Sequence, residues 1–416
     1  MKSITFSRKS IMAAAILGSL TQYALADTKV ETNIYGFING EVESVQALGG
    51  ATPYARRGRI SDGNSRIGFS GAVSINADIK GIWQIEGGLN NFEQGGVNDN
   101  GKTGTIESRN TFVGVASERF GRVVIGNNDS VYRSLVGSGS ELGGNLGMTV
   151  HGVDLWNNTS AQLSGNPDSI FGRGEARYKN SIHYLSPEKF GLQAGASYGF
   201  DETQSSRSTR GRYSLAAKYT AGPFSVGVGY DRQDNTGVDT DRLEKGYGFV
   251  SDAQDGVNTS YYKVVASYKF PTKTFVGVGY EAGDFGFAQV AAPTSSNFYT
   301  GLQVGKMKQR SAMISLAQDI GDASVMIGYG KLGNLSGTTF ASAGDFGATQ
   351  ISIGATYNLD RNFTPYVYFT KIRNNSQANV NLGQSPLRSN NAGSDNAFLA
   401  PGDSPRAIGF GLLARF

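Results

Sequence analysis

The final twelve residues constrain the fold more than any other stretch. Read in steps of two, Ile408, Phe410, Leu412, Ala414 and Phe416 share one face, and Ala407, Gly409, Gly411 and Arg415 share the other. A period of two belongs to a strand, not a helix. The apolar face runs to the terminal aromatic with no polar residue behind it. In a soluble sheet such an edge invites pairing with other chains. In lipid it can pair with the first strand of the same sheet, with the aromatic at the membrane interface. The stretch therefore predicts a sheet that closes on itself in an outer membrane.

The rest of the chain repeats the pattern. Residues 30–45 read as an opening strand. Residues 65–77 and 79–90 form a hairpin around Asn76-Ala77-Asp78, with Ile67, Phe69 and Val73 alternating against Arg66, Gly68 and Ser70. Residues 107–116 and 122–126 make the next pair. Residues 128–175 are rich in Gly and Ser and alternate little; a gap this long marks a functional or unstructured loop. From Arg177 five regular hairpins follow on short turns, then residues 374–404, then the closing strand. Short turns alternate with long polar loops, as a barrel requires when one rim meets the periplasm and the other the exterior. The predicted fold is all-β, a transmembrane antiparallel barrel of about sixteen strands. Tyr and Phe gather at strand ends, as in an interfacial girdle. The recurrence of Val228-Gly229-Tyr230, Val278-Gly279-Tyr280 and Ile327-Gly328-Tyr329 reads as similar hairpins, because the intervening segments do not match as a solenoid's would.

The first residues set the compartment. Lys2, Arg8 and Lys9 precede the apolar run 11–20, and Ala24-Leu25-Ala26 offers a cleavage site, so residues 1–26 read as a secretory signal peptide and 27–416 as one barrel domain. No later run approaches the about 18 uninterrupted apolar residues of a spanning helix. Lysine and arginine total 38 against 34 acids; without the leader the balance is 35 against 34. Nucleic acid is therefore not an expected partner, and any electrostatic function must come from where the charges sit. The chain has no cysteine, which excludes disulfides and thiolate metal sites.

About sixteen strands enclose a lumen too wide for side chains to fill. The inward face is Gly, Ser, Thr, Lys and Arg, which implies a water-filled passage narrowed by whatever enters it, with the 128–175 gap the best candidate. Catalysis is a poor rival. Only His151 and His183 are available as bases, and no phosphate loop or metal-spaced histidine pair appears. No cofactor is implied. Asp239-Thr240-Asp241 lacks the spacing of an EF-hand, so solvated loop carboxylates are the simpler reading. An adhesin or receptor role carried by loops such as 234–258 is compatible with the same barrel.

Several segments together resemble the general, trimeric, sixteen-stranded porins of proteobacterial outer membranes. They are Asn33-Ile34-Tyr35-Gly36, Ser65-Arg66-Ile67-Gly68-Phe69-Ser70-Gly71, residues 109–115 (RNTFVGV), residues 120–126 (FGRVVIG), Tyr178-Lys179-Asn180-Ser181-Ile182 and the terminal Phe416. The resemblance implies a third external loop folded into the lumen, with Ser140-Glu141-Leu142-Gly143-Gly144 at its tip. It places Glu141 at the pore, Arg66, Arg109 and Lys179 on the opposite basic wall, and Glu86 near the constriction; Arg133 and Arg177 flank the loop. Ser140 replaces the usual proline and Asn127 a frequent arginine. The implied function is passive diffusion of small hydrophilic solutes and ions with mild anion preference. The implied partners are outer-membrane lipid, lipopolysaccharide and two further copies of the chain. A channel specific for small organic or inorganic anions is the competing expectation.

Overall fold

The computed structural model describes residues 30–89, 106–137, 149–150, 153–156, 169–202, 209–240, 243, 251–290, 302–337, 345–383, 386–387 and 399–416. The predicted leader, the loop tip with Glu141, and His151 lie outside them. The strands are β1 (Val30–Leu48), β2 (Tyr54–Asp62), β3 (Arg66–Ser74), β4 (Ile79–Leu89), β5 (Ile106–Ser117), β6 (Gly121–Asp129), β7 (Thr149–Val150), β8 (Val153–Asp154), β9 (Arg177–Leu185), β10 (Leu192–Gly199), β11 (Arg212–Ala221), β12 (Phe224–Val238), β13 (Ser251–Lys269), β14 (Thr274–Val290), β15 (Leu302–Ile320), β16 (Ala323–Leu332), β17 (Ala348–Tyr357), β18 (Phe363–Asn374) and β19 (Ser404–Arg415).

Each wall strand pairs antiparallel with the next, and β19 returns to β1, from Phe37 opposite Arg415 to Leu48 opposite Ser404. The seam reaches the last residue. Gly36 N–H donates to Phe416 O (3.2 Å) and Phe416 N–H to Gly36 O (3.1 Å). The closing contact proposed from the alternation is therefore present, and the sheet has no open edge. In hydrocarbon, where an unpaired backbone group costs several kcal/mol, closure is what makes a spanning sheet possible.

The strand β2 falls in a stretch whose three arginines mask its alternation, so the sequence reading leaves it unassigned. It is half of a wall strand. Both β2 and β3 pair with β1, β3 along residues 30–37 and β2 along residues 40–47. Between them Asn64 takes a positive φ of 70°, which Asn tolerates better than most residues. Asp62 fixes the break by accepting from Ser65 N–H (3.0 Å) and Ser65 Oγ–H (2.5 Å). Counting β2 and β3 as one gives sixteen wall strands, since β7 and β8 form their own small hairpin.

Outward positions carry the apolar band: Ile34, Ile38 and Val42 on β1, Val278 and Tyr280 on β14, and Ile408, Phe410 and Leu412 on β19 are all exposed. Inward positions between them include Asn39 and Glu41 on β1, Gly279 on β14, and Gly409 and Gly411 on β19.

Candidate functional site

The inner wall of β9–β18 carries a second layer built from the inserted segment after β6. A short helix, Val131–Val136, begins with Ser130, whose Oγ accepts from Arg133 N–H (3.2 Å). Val131, Tyr132, Val136, Leu155, Trp156, Ile170 and Phe171 are buried in one apolar cluster with wall residues such as Val265, Phe285 and Met313. Glycines on the wall make room for them. A Cβ at Gly229 would lie 2.6 Å from Val136 and 2.8 Å from Tyr132, and one at Gly279 would lie 2.5 Å from Phe171. The recurring Val-Gly-Tyr triplets thus have a function beyond hairpin similarity: two of their glycines form the trough that seats the insert.

Polar anchors lock it. Lys263 on β13 is fully buried and pairs with Glu175 of the insert and Glu281 of β14 (3.1 Å). Arg173 pairs with Glu281 (2.8 Å) and donates through Nη1 to Gln309 Oε1 (3.1 Å). Gly172 N–H also donates to Glu281 (3.1 Å). Gln350 Nε2–H donates to Trp156 O (2.6 Å). The Lys263 ammonium lies 4.8 Å from the Tyr132 ring centroid and 5.0 Å from that of Phe171. Burial, with Glu281 and Glu175 nearby, pushes the Tyr132 phenol well above its ordinary range, so the ring facing Lys263 stays neutral. Lys263 reads from sequence as a solvated lumen lysine. The fold makes it a dry anchor instead, because the insert brings Glu175 against it.

The predicted basic wall is partly assembled. Arg66 and Arg109 both turn inward and are 6% and 2% exposed. The Arg66 guanidinium lies 4.4 Å from the Phe37 ring centroid. Arg109 Nε–H donates to Glu86 Oε1 (2.5 Å) and Nη1–H to Asn64 Oδ1 (3.1 Å). Tyr35 O–H donates to the other Glu86 oxygen (3.0 Å), and Gln84 donates to Tyr35 (2.7 Å). Asn127, where an arginine was noted as frequent, donates to Arg109 O (2.7 Å) and holds that backbone.

Two β-bulges decide which charges reach the lumen. Between β4 and β5 the register steps from Ile85–Thr111 to Gly87–Ser108, so Arg109 and Asn110 together oppose Glu86. Strict alternation from the exposed Val113 would send Arg109 outward; the extra residue turns it in. Between β6 and β9 the step is from Gly126–Ser181 to Asn128–Tyr178, with Asn180 at φ 46°. Here Ser181 and Tyr178 are both buried, whereas Lys179 and Asn180 are both exposed. Counting by twos from His183 puts Lys179 inside, but the bulge flips it to the outer face. Lys179 therefore leaves the proposed wall.

Arg133 and Arg177 are not free pore charges. Both pair with Asp129, at 2.9 Å and 3.2 Å, and Arg177 Nε–H donates to Asn110 Oδ1 (2.6 Å). They tie the root of the insert to β5 and β6. His183, one of the two available bases, is buried, with its ring nitrogens 2.7 Å from Ser181 Oγ and 2.8 Å from Ser197 Oγ.

Two features escape the sequence reading. Arg59 on β2 faces inward and pairs with Glu43 (2.6 Å). Glu41 and Glu43 accept hydrogen bonds from Tyr366 (2.5 Å, to Glu41) and Tyr368, whose rings lie over Gly411 and Gly409 of β19. Alternating Glu41 and Glu43 on β1 and Tyr366 and Tyr368 on β18 carry a signal in retrospect, but only closure makes their strands near neighbours. In addition, Val380, Leu382, Leu387 and Leu399, in the segment before β19, are buried in the same cluster as Val45 and Ile372. These described parts of the final long segment therefore also pack against the wall.

Comparison with known proteins fits this geometry. The family profile described as Gram-negative porin matches residues 13–377. An outer membrane porin protein of Bordetella pertussis is 24% identical over 398 residues, covering 88% of this chain and 94% of its own. A monosaccharide porin of Halomonas is 27% identical over 253 residues, covering 56% of this chain and 63% of its own. Among solved structures, the anion-selective porin from Comamonas acidovorans superposes with a TM-score of 0.64 at 18% identity, covering 93% of this chain and 100% of that one.

Proposed function

The chain belongs to the Gram-negative porins, and we propose that its constriction favours small anions among the solutes it passes. It is an outer-membrane channel for passive solute diffusion. The observation that carries the anion preference is the inward arginine group Arg66, Arg109 and Arg59, held on rigid strands β2, β3 and β5. Fixed charges on one side of a narrow wet gap bias ion choice more than the same charges free in water. Glu86 offsets Arg109 and Glu43 offsets Arg59, which keeps the preference mild. A relative named for anion selectivity shares the fold. Residues 1–26 serve as a signal removed on export, the mature chain assembles as a homotrimer, and Glu141 at the loop tip faces this wall. Its surroundings are outer-membrane lipid and lipopolysaccharide, and it performs no catalysis.

Reversal potentials across planar bilayers in a salt gradient test the reading. Arg66→Ala with Arg59→Ala should shift the potential toward cations. Lys179→Ala, on the outer face, should leave it where the unaltered protein has it. An unchanged potential in the double variant would end the anion proposal. Flux linear in solute concentration is expected; saturation would favour the substrate-specific alternative.

A further inference from the structure

The charge of Arg109 reaches the lumen only because β5 bulges beside it. Arg109 and Asn110 stand together against Glu86, where the register steps from Ile85–Thr111 to Gly87–Ser108. A bulge interrupts the ladder locally, so its backbone needs partners from elsewhere. Asn127 gives one: its Nδ2–H donates to Arg109 O (2.7 Å). Asn127 itself lies in the second bulge, between the pairs Gly126–Ser181 and Asn128–Tyr178. The side chain of one bulge thus holds the backbone of the other.

The Asn110 amide fastens this bulge to both ends of the insert. Its Oδ1 accepts from Asp129 N–H (3.1 Å) and from Arg177 Nε–H (2.6 Å), and its Nδ2–H donates to Asp129 Oδ2 (2.9 Å). Asp129 ends β6, where the insert leaves the wall, and Arg177 begins β9, where the chain returns to it. An amide fits this place because it must accept and donate at once. A carboxylate would set a negative charge against Asp129 Oδ2, and a cationic side chain would offer no acceptor to Asp129 N–H or Arg177. The contacts of the Arg109 guanidinium with Glu86 and Asn64 fix only its tip. They can form only once the bulge has turned the residue inward.

We propose that Asn110 is a positioning residue for ion selectivity: it ties the β5 bulge to the root of the insert and so keeps the Arg109 charge in the lumen. The inference rests on the anion preference proposed above. It adds that the insert and this wall charge are held in one arrangement by a single amide. Loss of Asn110, which carries no charge, should then act on selectivity as loss of the Arg109 charge does.

The test uses the full mature chain in planar bilayers under a salt gradient, with Asn110→Leu, Arg109→Gln and the two combined. Each single variant should move the reversal potential toward cations, and the combination should move it no further than Arg109→Gln alone. A potential that moves in Arg109→Gln but stays in Asn110→Leu overturns the proposal and leaves the anion preference standing. Full additivity in the combination also overturns it, because the two residues would then act independently. An unmoved potential in Arg109→Gln overturns it and leaves the anion preference to Arg66 and Arg59. A conductance change in Asn110→Leu without a change of potential means that the residue only packs the insert, and overturns it too.

Orientation is read separately. The chain has no cysteine, so Arg109→Cys introduces a unique thiol. A cationic methanethiosulfonate reagent added in water should restore the anion preference to this variant, and should fail to do so when Asn110→Leu accompanies it. Restoration in both backgrounds overturns the proposal, as does failure of modification with Asn110 in place. Should Asn110→Leu not fold, Asn127→Ala takes its place in the same comparison. Modification should then be slower than with Asn127 present, and an equal rate overturns the proposal.

Discussion

At the scale of the residue, the same side-chain type does different work according to what the fold brings against it. Arg109 faces Glu86, Lys263 faces Glu175 and Glu281, and Lys179 faces outward. Removing one member of a buried ionic group leaves the others dry and uncompensated, at a cost of about 3–5 kcal/mol. Lys263→Met should therefore lower the stability of the seated insert by about that amount. Limited proteolysis within the 128–175 segment reads this out: cleavage should become faster while the barrel itself stays resistant. Restoring neutrality with Glu175→Gln in the same chain, which leaves the Arg173–Glu281 pair in place, should recover part of the loss; no recovery would argue that Lys263 acts through packing alone.

At the scale of the element, the insert is held as much by absent side chains as by present ones. Gly229 and Gly279 sit under Tyr132 and Phe171, where a Cβ would approach within the distances real side chains avoid. Gly279→Leu should push Phe171 out of its trough. We expect a single-channel conductance that is larger and noisier, because the insert no longer rests in one position. Gly279→Ala should show the same change weakly. An unaltered, quiet conductance in the leucine variant would mean that the trough does not set the aperture. The two bulges belong to this scale too, since one residue inserted into a pair reverses every side chain beyond it on that strand.

At the scale of the whole molecule, the seam is the step on which the rest depends. A Cβ on Gly36 would lie 2.4 Å from Arg66 O and 2.8 Å from the Phe416 ring. Gly36→Val should therefore block closure between β1 and β19. Folding into lipid vesicles, followed by the mobility shift between folded and heated protein in gel electrophoresis, should show a marked loss of the folded band. Phe416→Ala should keep the backbone pairs with Gly36 and lose less. Equal folding of the valine variant would mean that the seam tolerates displacement of the last residue.

The periodicity of the chain by itself determined the class of fold, the near-sixteen count, the short-turn and long-loop rims, and the closing role of residues 405–416. It could do so because each strand's two faces meet solvents of opposite polarity, and that contrast is written directly into alternate residues. It also placed Arg66 and Glu86 on the inward face, where they lie on strands in unbroken alternation up to the site. Arg109 was found only by resemblance, and Lys179 was misplaced, because a single extra residue in a bulge is invisible to counting by twos. The roles of Lys263, Arg133, Arg177 and the Glu41–Glu43–Tyr366–Tyr368 group were decided by the tertiary structure alone. Apart from Asp129, only four residues before Arg133, their partners lie tens to hundreds of residues away and are brought close only when the insert folds back onto the wall and the two ends of the sheet meet.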